Sequence, residues 1–233
     1  MRRFRFTPLF VAALFATPAG AADAPVKVAL VGDSTVTDKA GWGLAFDKSF
    51  GTGAVVENFA KGGASSRSFR DQRLWEKAIA GKPDWVLIQF GHNDQPGKGP
   101  ERETDPKTGY RDNLRKFVDE ARAAGVKPIL VTSPVRRSFD TDGTLRTDLE
   151  PYAEVVRVVG EEKKVPVVDL HLRSKELCEK LGAKGCLAYG PPHPTLKDKV
   201  DGTHLNEKGA AAMAALVTEE LKKAAPDLAK LLK

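Results

Sequence analysis

Gly32-Asp33-Ser34-Thr35 directly follows the apolar run Val28-Ala29-Leu30-Val31, so a serine hydroxyl stands where a buried strand breaks into a turn. Serine is a poor nucleophile at neutral pH unless a base takes its proton, a carboxylate orients that base, and donors meet the oxyanion that forms. The chain offers candidates for each role. Asp201-Gly202-Thr203-His204 pairs a carboxylate with an imidazole three residues on, close enough in a tight loop for Asp201 to reach Nδ1 and leave Nε2 for Ser34. Gly63, whose amide has no side chain to keep a charged oxygen away, and Asn93, whose NH2 is a neutral donor, are the oxyanion candidates.

These residues must be held by elements that end at one edge. Short β-branched runs at 26–31, 54–58, 84–90, 127–133 and 165–169 read as strands, and helical patterns at 68–80, 109–124, 149–163 and 207–223 lie between them. Thr147 with Glu150 makes a capping-box start for the third helix, Gly125 is a stop for the second, and Asn206 is a cap for the last. Such alternation implies a three-layer α/β/α sandwich on a central parallel sheet of about five strands. Ser34, Gly63 and Asn93 then follow the first, second and third strands at their carboxyl ends, the edge at which ligands bind in such sheets. The irregular stretches 91–105, 134–146 and 183–203 read as loops around that edge.

The 233 residues, 41% of them hydrophobic, suffice for one such domain. Residues 1–22 read as a secretory signal peptide, with Arg2, Arg3 and Arg5 before a short apolar stretch and Ala19-Gly20-Ala21 as a cleavage site; the domain is then 23–233. Secreted or periplasmic localisation follows, with no membrane association after cleavage. In an oxidising compartment Cys178 and Cys186 are expected to form a disulfide, and neither carries a metal-ligand pattern. The formal charge of +6 falls to +3 when the three arginines leave, which gives no reason to expect a nucleic-acid partner. No coiled-coil pattern is present, so a monomer is expected.

Four stretches together resemble the blocks of the SGNH branch of the GDSL-type hydrolases, and within it the rhamnogalacturonan acetylesterase-like carbohydrate esterases. They are Gly32-Asp33-Ser34 with Gly41-Trp42-Gly43, residues 58–69 with Gly63 and Ser66-Arg67-Ser68, Gly91-His92-Asn93-Asp94, and Asp201 to His204. Ser133-Pro134-Val135-Arg136-Arg137 and Asp169-Leu170-His171 are similar to stretches between the last blocks. The resemblance implies a flavodoxin-like SGNH hydrolase fold, with Ser34 as nucleophile, His204 as base and Asp201 as its orienting acid. It implies an oxyanion hole of the Ser34 and Gly63 amides and the Asn93 side chain, an acetyl-serine intermediate, and no cofactor or metal. Thr35 stands where the broader family has leucine, which fits the acetylesterase branch better than the lipase-like one.

Three further residues are candidates for substrate contact. Arg67 is placed either to pair with a galacturonate carboxylate or to form a surface ion pair. Trp42 floors a sugar subsite or belongs to the core, and His92 shapes the pocket or caps a turn. The expected partner is an acetylated plant cell-wall polysaccharide or oligosaccharide, rhamnogalacturonan or pectin foremost. An acetyl xylan esterase, an SGNH lipase or thioesterase of broad acyl specificity, and an inactive carbohydrate-binding relative are the alternatives.

Overall fold

The structure, a computed structural model, describes residues 24–233; the expected signal peptide, residues 1–22, lies outside the described residues. In chain order the main elements are β1 (Val26–Gly32), α1 (Gly43–Asp47), β2 (Ala54–Asn58), α2 (Ser66–Asp71), α3 (Leu74–Ala80) and β3 (Trp85–Gln89), then α4 (Arg111–Ala123), β4 (Lys127–Val131), α5 (Glu150–Lys163), β5 (Val167–Val168), α6 (Leu170–Cys186), α7 (Glu207–Ala224) and α8 (Pro226–Ala229). A π-type turn, Pro106–Tyr110, leads into α4.

The strands form one parallel sheet in the order β2-β1-β3-β4-β5. Successive strand residues point to opposite faces, so Ala29, Val31, Val86, Ile88 and Leu130 pack on one side and Val28, Leu30, Leu87 and Ile129 on the other. The first face carries Phe69, Trp75, Phe117, Tyr152 and Val156 from α2 to α5; the second carries Phe46, Leu170, Met213, Val217, Leu221 and Leu228 from α1 and α6 to α8. Burial on both faces explains why the strands read as nearly continuous apolar runs. It gives the expected three layers around five strands.

Beyond α8 the chain returns to the amino ends of the strands, where the Gly51 amide donates to Leu231 O and the Lys233 amide to Ser49 O. Val26, the first residue of β1, lies beside Gly53 at that same edge, its amide donating to the Gly53 carbonyl.

Several local expectations are corrected. The helix expected at 68–80 is two helices: Arg73 adopts a left-handed φ of 56° that ends α2, and Ser65 with Ser68 makes a reciprocal capping box at its start. The box expected at Thr147 and Glu150 does not form, because Leu149 is the residue before α5 and the Glu150 carboxylate turns to Arg157 (2.7 Å) and His171 (3.0 Å). The last strand shrinks from 165–169 to Val167–Val168, since Val165 donates to Gly160 and Pro166 has no N–H to give the sheet. Part of the loop expected at 183–203 is instead the end of α6, which Asp169 caps through Leu172 N and which kinks at Gly182. Gly125, with φ of 76°, ends α4 as expected, with Val126 N bonding back to Ala121 O.

Candidate active site

The strand order reverses between β1 and β3, because β2 lies on the other side of β1, and the crevice opened there at the carboxyl ends receives Ser34 and Asn93. Gly63 arrives from the opposite side, after β2. Its turn is specified locally: Ala64 N donates to Lys61 O, and Gly63 takes φ of 77°, the left-handed value required at the third position of a type II turn. A Cβ on Gly62 would lie 3.9 Å from the Ser34 Cβ, so the turn stands directly beside the nucleophile candidate. Asn93 Nδ2 donates to Ala64 O at 3.0 Å, which uses one of its two N–H groups and ties the third strand's loop to this turn. Among the described residues neither the Ser34 nor the Gly63 amide has an acceptor.

Ser34, His204 and Asp201 are in line. His204 Nε2 is 2.9 Å from Ser34 Oγ across 170 residues of chain, and Nδ1 is 2.7 Å from Asp201 Oδ2. The other Asp201 oxygen accepts from Thr203 N at 2.6 Å and His204 N at 3.0 Å. Burial pushes the Asp201 carboxyl up, but the His204 bond and these two amides outweigh it and hold it below the usual range, so it is anionic beside the imidazole. Asn206 caps α7 through Gly209 N at 2.9 Å and so fixes where the loop ends.

Behind Ser34 lies a buried polar chain. Trp42 Nε1 donates to Gln89 Oε1 (2.9 Å), Gln89 Nε2 to Thr35 Oγ1 (2.7 Å), and Thr35 Oγ1 and N to Asp33 Oδ1 (2.7 and 2.8 Å). Asp33 Oδ2 faces His92 Nδ1 at 3.5 Å. Burial alone would raise the Asp33 carboxyl; His92 and the Thr35 bonds bring it below its ordinary value. Trp42 is therefore a fully buried core residue rather than a sugar platform, and buried His92 backs the nucleophile turn instead of lining a pocket. Arg67 is exposed, and its Nη1 donates to Pro100 O (2.8 Å) and Glu103 O (3.4 Å), so it fastens a loop and makes no ion pair with a protein carboxylate. Trp42 and His92 depart from the expected contacts because both side chains are buried.

The expected Cys178–Cys186 disulfide is also absent. Both are buried free thiols against Val135 and Leu145, with Cys186 Sγ 3.8 Å from Cys178 O across the α6 kink. Burial pushes the Cys178 thiol up to about 12, which withholds the thiolate that disulfide exchange requires.

Two supporting residues carry no role in the sequence reading. Asp94 is buried and accepts from Ser66 Oγ (2.5 Å), Ser66 N (3.1 Å) and Thr104 Oγ1 (2.8 Å), joining the Asn93 loop to the start of α2. Burial raises its carboxyl to about 6 against those bonds. Arg137 directs Nη2 at the Asp201 and His204 carbonyls, the first at 2.8 Å, and so grips the loop that holds the imidazole. The only sequence signal for these two was their position inside or beside recognisable blocks.

With this geometry in place, similarities to known proteins become informative. Residues 28–212 match the model of the GDSL-like Lipase/Acylhydrolase family. The chain is 41% identical over 212 residues to the rhamnogalacturonan acetylesterase RhgT of Bacillus subtilis, covering 84% of this chain and 89% of that protein. It is 33% identical over 201 residues to a probable rhamnogalacturonan acetylesterase, YesY, of the same organism, covering 83% and 91%. The crystal structure of Bacillus subtilis YxiM superposes with a TM-score of 0.70 at 26% identity, covering 86% of this chain and 57% of that one.

Proposed function

The chain belongs to the GDSL-like lipase/acylhydrolase family and is a carboxylic ester hydrolase, and from that premise we propose that it is exported and removes acetyl groups from acetylated plant cell-wall polysaccharide, rhamnogalacturonan first. In this reading Ser34 Oγ attacks the acetyl carbonyl while His204 Nε2 takes its proton, and Asp201 keeps the imidazole in the productive tautomer and stabilises its charged form. The Ser34 and Gly63 amides and the remaining Asn93 N–H meet the oxyanion. His204 returns the proton to the leaving sugar oxygen, which leaves acetyl-Ser34; water activated by His204 then releases acetate.

The observation that carries the chemistry is the unbroken line Asp201 Oδ2, His204 Nδ1, His204 Nε2, Ser34 Oγ at 2.7 and 2.9 Å. The glycan reading is supported by the 41% identity to a rhamnogalacturonan acetylesterase. Acetate release from acetylated rhamnogalacturonan, homogalacturonan and xylan, with Ser34→Ala as the blank, tests both. The expected result is release from the pectic substrates and none from the variant. Faster turnover of octanoyl than acetyl esters would move the enzyme to the lipase-like branch, and a preference for xylan would move it to the acetyl xylan esterases. Export is tested separately by sequencing the amino terminus of protein recovered outside the cytoplasm, with cleavage expected near Ala21 or Ala22.

A further inference from the structure

The stretch from Asp94 to Asp105 runs along the catalytic edge and is fixed at several points. Arg67 holds Pro100 O and Glu103 O, Glu103 Oε1 accepts from Gly99 N at 2.7 Å, and Arg102 N and Glu103 N both donate to Gly99 O at 2.9 Å. Thr104 is anchored on Asp94 through both its amide and its hydroxyl. These bonds place a guanidinium beside the turn proposed to supply an oxyanion donor: Arg102 Nη1 stands 3.9 Å from where a Cβ on Gly63 would sit.

Arg102 is not consumed by the fold. Its one side-chain hydrogen bond among the described residues goes from Nε to Glu101 Oε1 at 3.1 Å, between side chains 34% and 65% exposed. Water screens such a pair, and it holds the guanidinium only weakly. The N–H groups on Nη1 and Nη2 remain available as a planar fork, the shape that binds a carboxylate through two parallel bonds. Acyl transfer itself has its three neutral donors and needs no cation.

We propose that Arg102 is the specificity-determining residue that recognises a uronate carboxylate of the glycan, one sugar ring or less from the acetyl ester held at Gly63. This rests on the reading of the substrate as an acetylated pectic polysaccharide and adds what selects it. An acidic glycan gains a bidentate bond that a neutral xylan does not offer, and Glu101 competes with that carboxylate for the guanidinium.

Two arms test it. In the first, kcat/KM is measured for Arg102→Gln and Arg102→Lys on acetylated pectic and acetylated xylo-oligosaccharides. The ratio of acidic to neutral turnover should fall about 10- to 100-fold in Arg102→Gln, mainly through KM, and less in Arg102→Lys, which keeps charge but not the fork. Glu101→Gln should raise the ratio by about 2- to 5-fold. In the second, deacetylated oligogalacturonide should inhibit p-nitrophenyl acetate hydrolysis competitively, and Arg102→Gln should weaken that inhibition by the same factor; no inhibition of the wild-type enzyme would overturn Arg102. This arm needs no acetylated glycan to be turned over, so it separates the two readings. Inhibition lost in the variant while the wild-type enzyme ignores acetylated pectin would overturn the substrate proposal and keep Arg102. Pectic turnover with an unchanged ratio, or equal losses on acidic and neutral substrates, would overturn Arg102 alone.

Discussion

The two halves of the site are held by different means. The nucleophile and oxyanion half grows from the ends of three adjacent strands and is backed by buried side chains bonded to one another, from Trp42 through Gln89 and Thr35 to Asp33, and from Asp94 to Ser66 and Thr104. The acid-base half is an irregular loop before α7, held from beneath by the Arg137 guanidinium on main-chain carbonyls and in front by its own Asp201 bonds. One half rests on buried side-chain bonds at strand ends; the other rests on main-chain groups of the loop, gripped by Arg137 and by backbone bonds such as Asp201 N to Pro191 O and Leu205 N to Ala40 O. Side chains thus hold the half that binds the acyl group, and main-chain bonds hold the half that moves the proton.

Removing a donor is the severest way to test the strand-end half, because preorganised neighbours cannot supply the missing N–H. Asn93→Ala should lower kcat by about 10²–10³ with KM little changed. Steady-state kinetics on p-nitrophenyl acetate checks this, and unchanged turnover would take Asn93 out of the oxyanion hole.

Asp94 probes the cost of that half's buried bonds. Its folded pKa of about 6 lies above the ordinary value of 3.8, so between those two pH values the folded protein keeps a proton that the unfolded chain has released. Stability from this group therefore falls as pH rises from about 4 through 6, by about 3 kcal/mol in total. Asp94→Asn does not titrate, so urea unfolding from pH 4 to 7 should show the variant gaining on the wild type by that amount as pH rises. Parallel curves would mean that Asp94 ionises normally.

The loop half is tested at Arg137. Losing the grip on the Asp201 and His204 carbonyls should displace the imidazole and cost about 10²-fold in kcat, the scale expected of a misplacement near 1 Å. Added guanidinium ion should restore part of the rate in Arg137→Ala. If the rate is lost without rescue and the protein melts early, Arg137 supports the fold and not the alignment.

Most of the layered fold was legible because the central strands are buried on both faces and carry the apolar signal residue after residue, as 86–88 does. Ser34, Gly63, Asn93 and Asn206 were legible because each is tied to a strand end or helix start that the sequence marks. Helix α6 was missed because Gly182 breaks its pattern and the stretch carries only a weak apolar stripe. The places of Arg137 and Arg102 were not legible for another reason. One binds carbonyls, which every residue possesses, and the other is aimed by loop bonds among Arg67, Gly99 and Glu103 that no periodicity encodes. Trp42 was ambiguous until Gln89, 47 residues away, claimed its N–H.

Because residues 26 and 233 both sit at the amino edge of a parallel sheet whose chemistry lies at the carboxyl edge, the molecule has a back and a front. A flexible tether added beyond Lys233, to a bead, a cell envelope or a sugar-binding module, would leave the hydrolytic surface pointing outward. That polarity makes this scaffold suited to being grafted onto insoluble fibre without masking its catalytic edge.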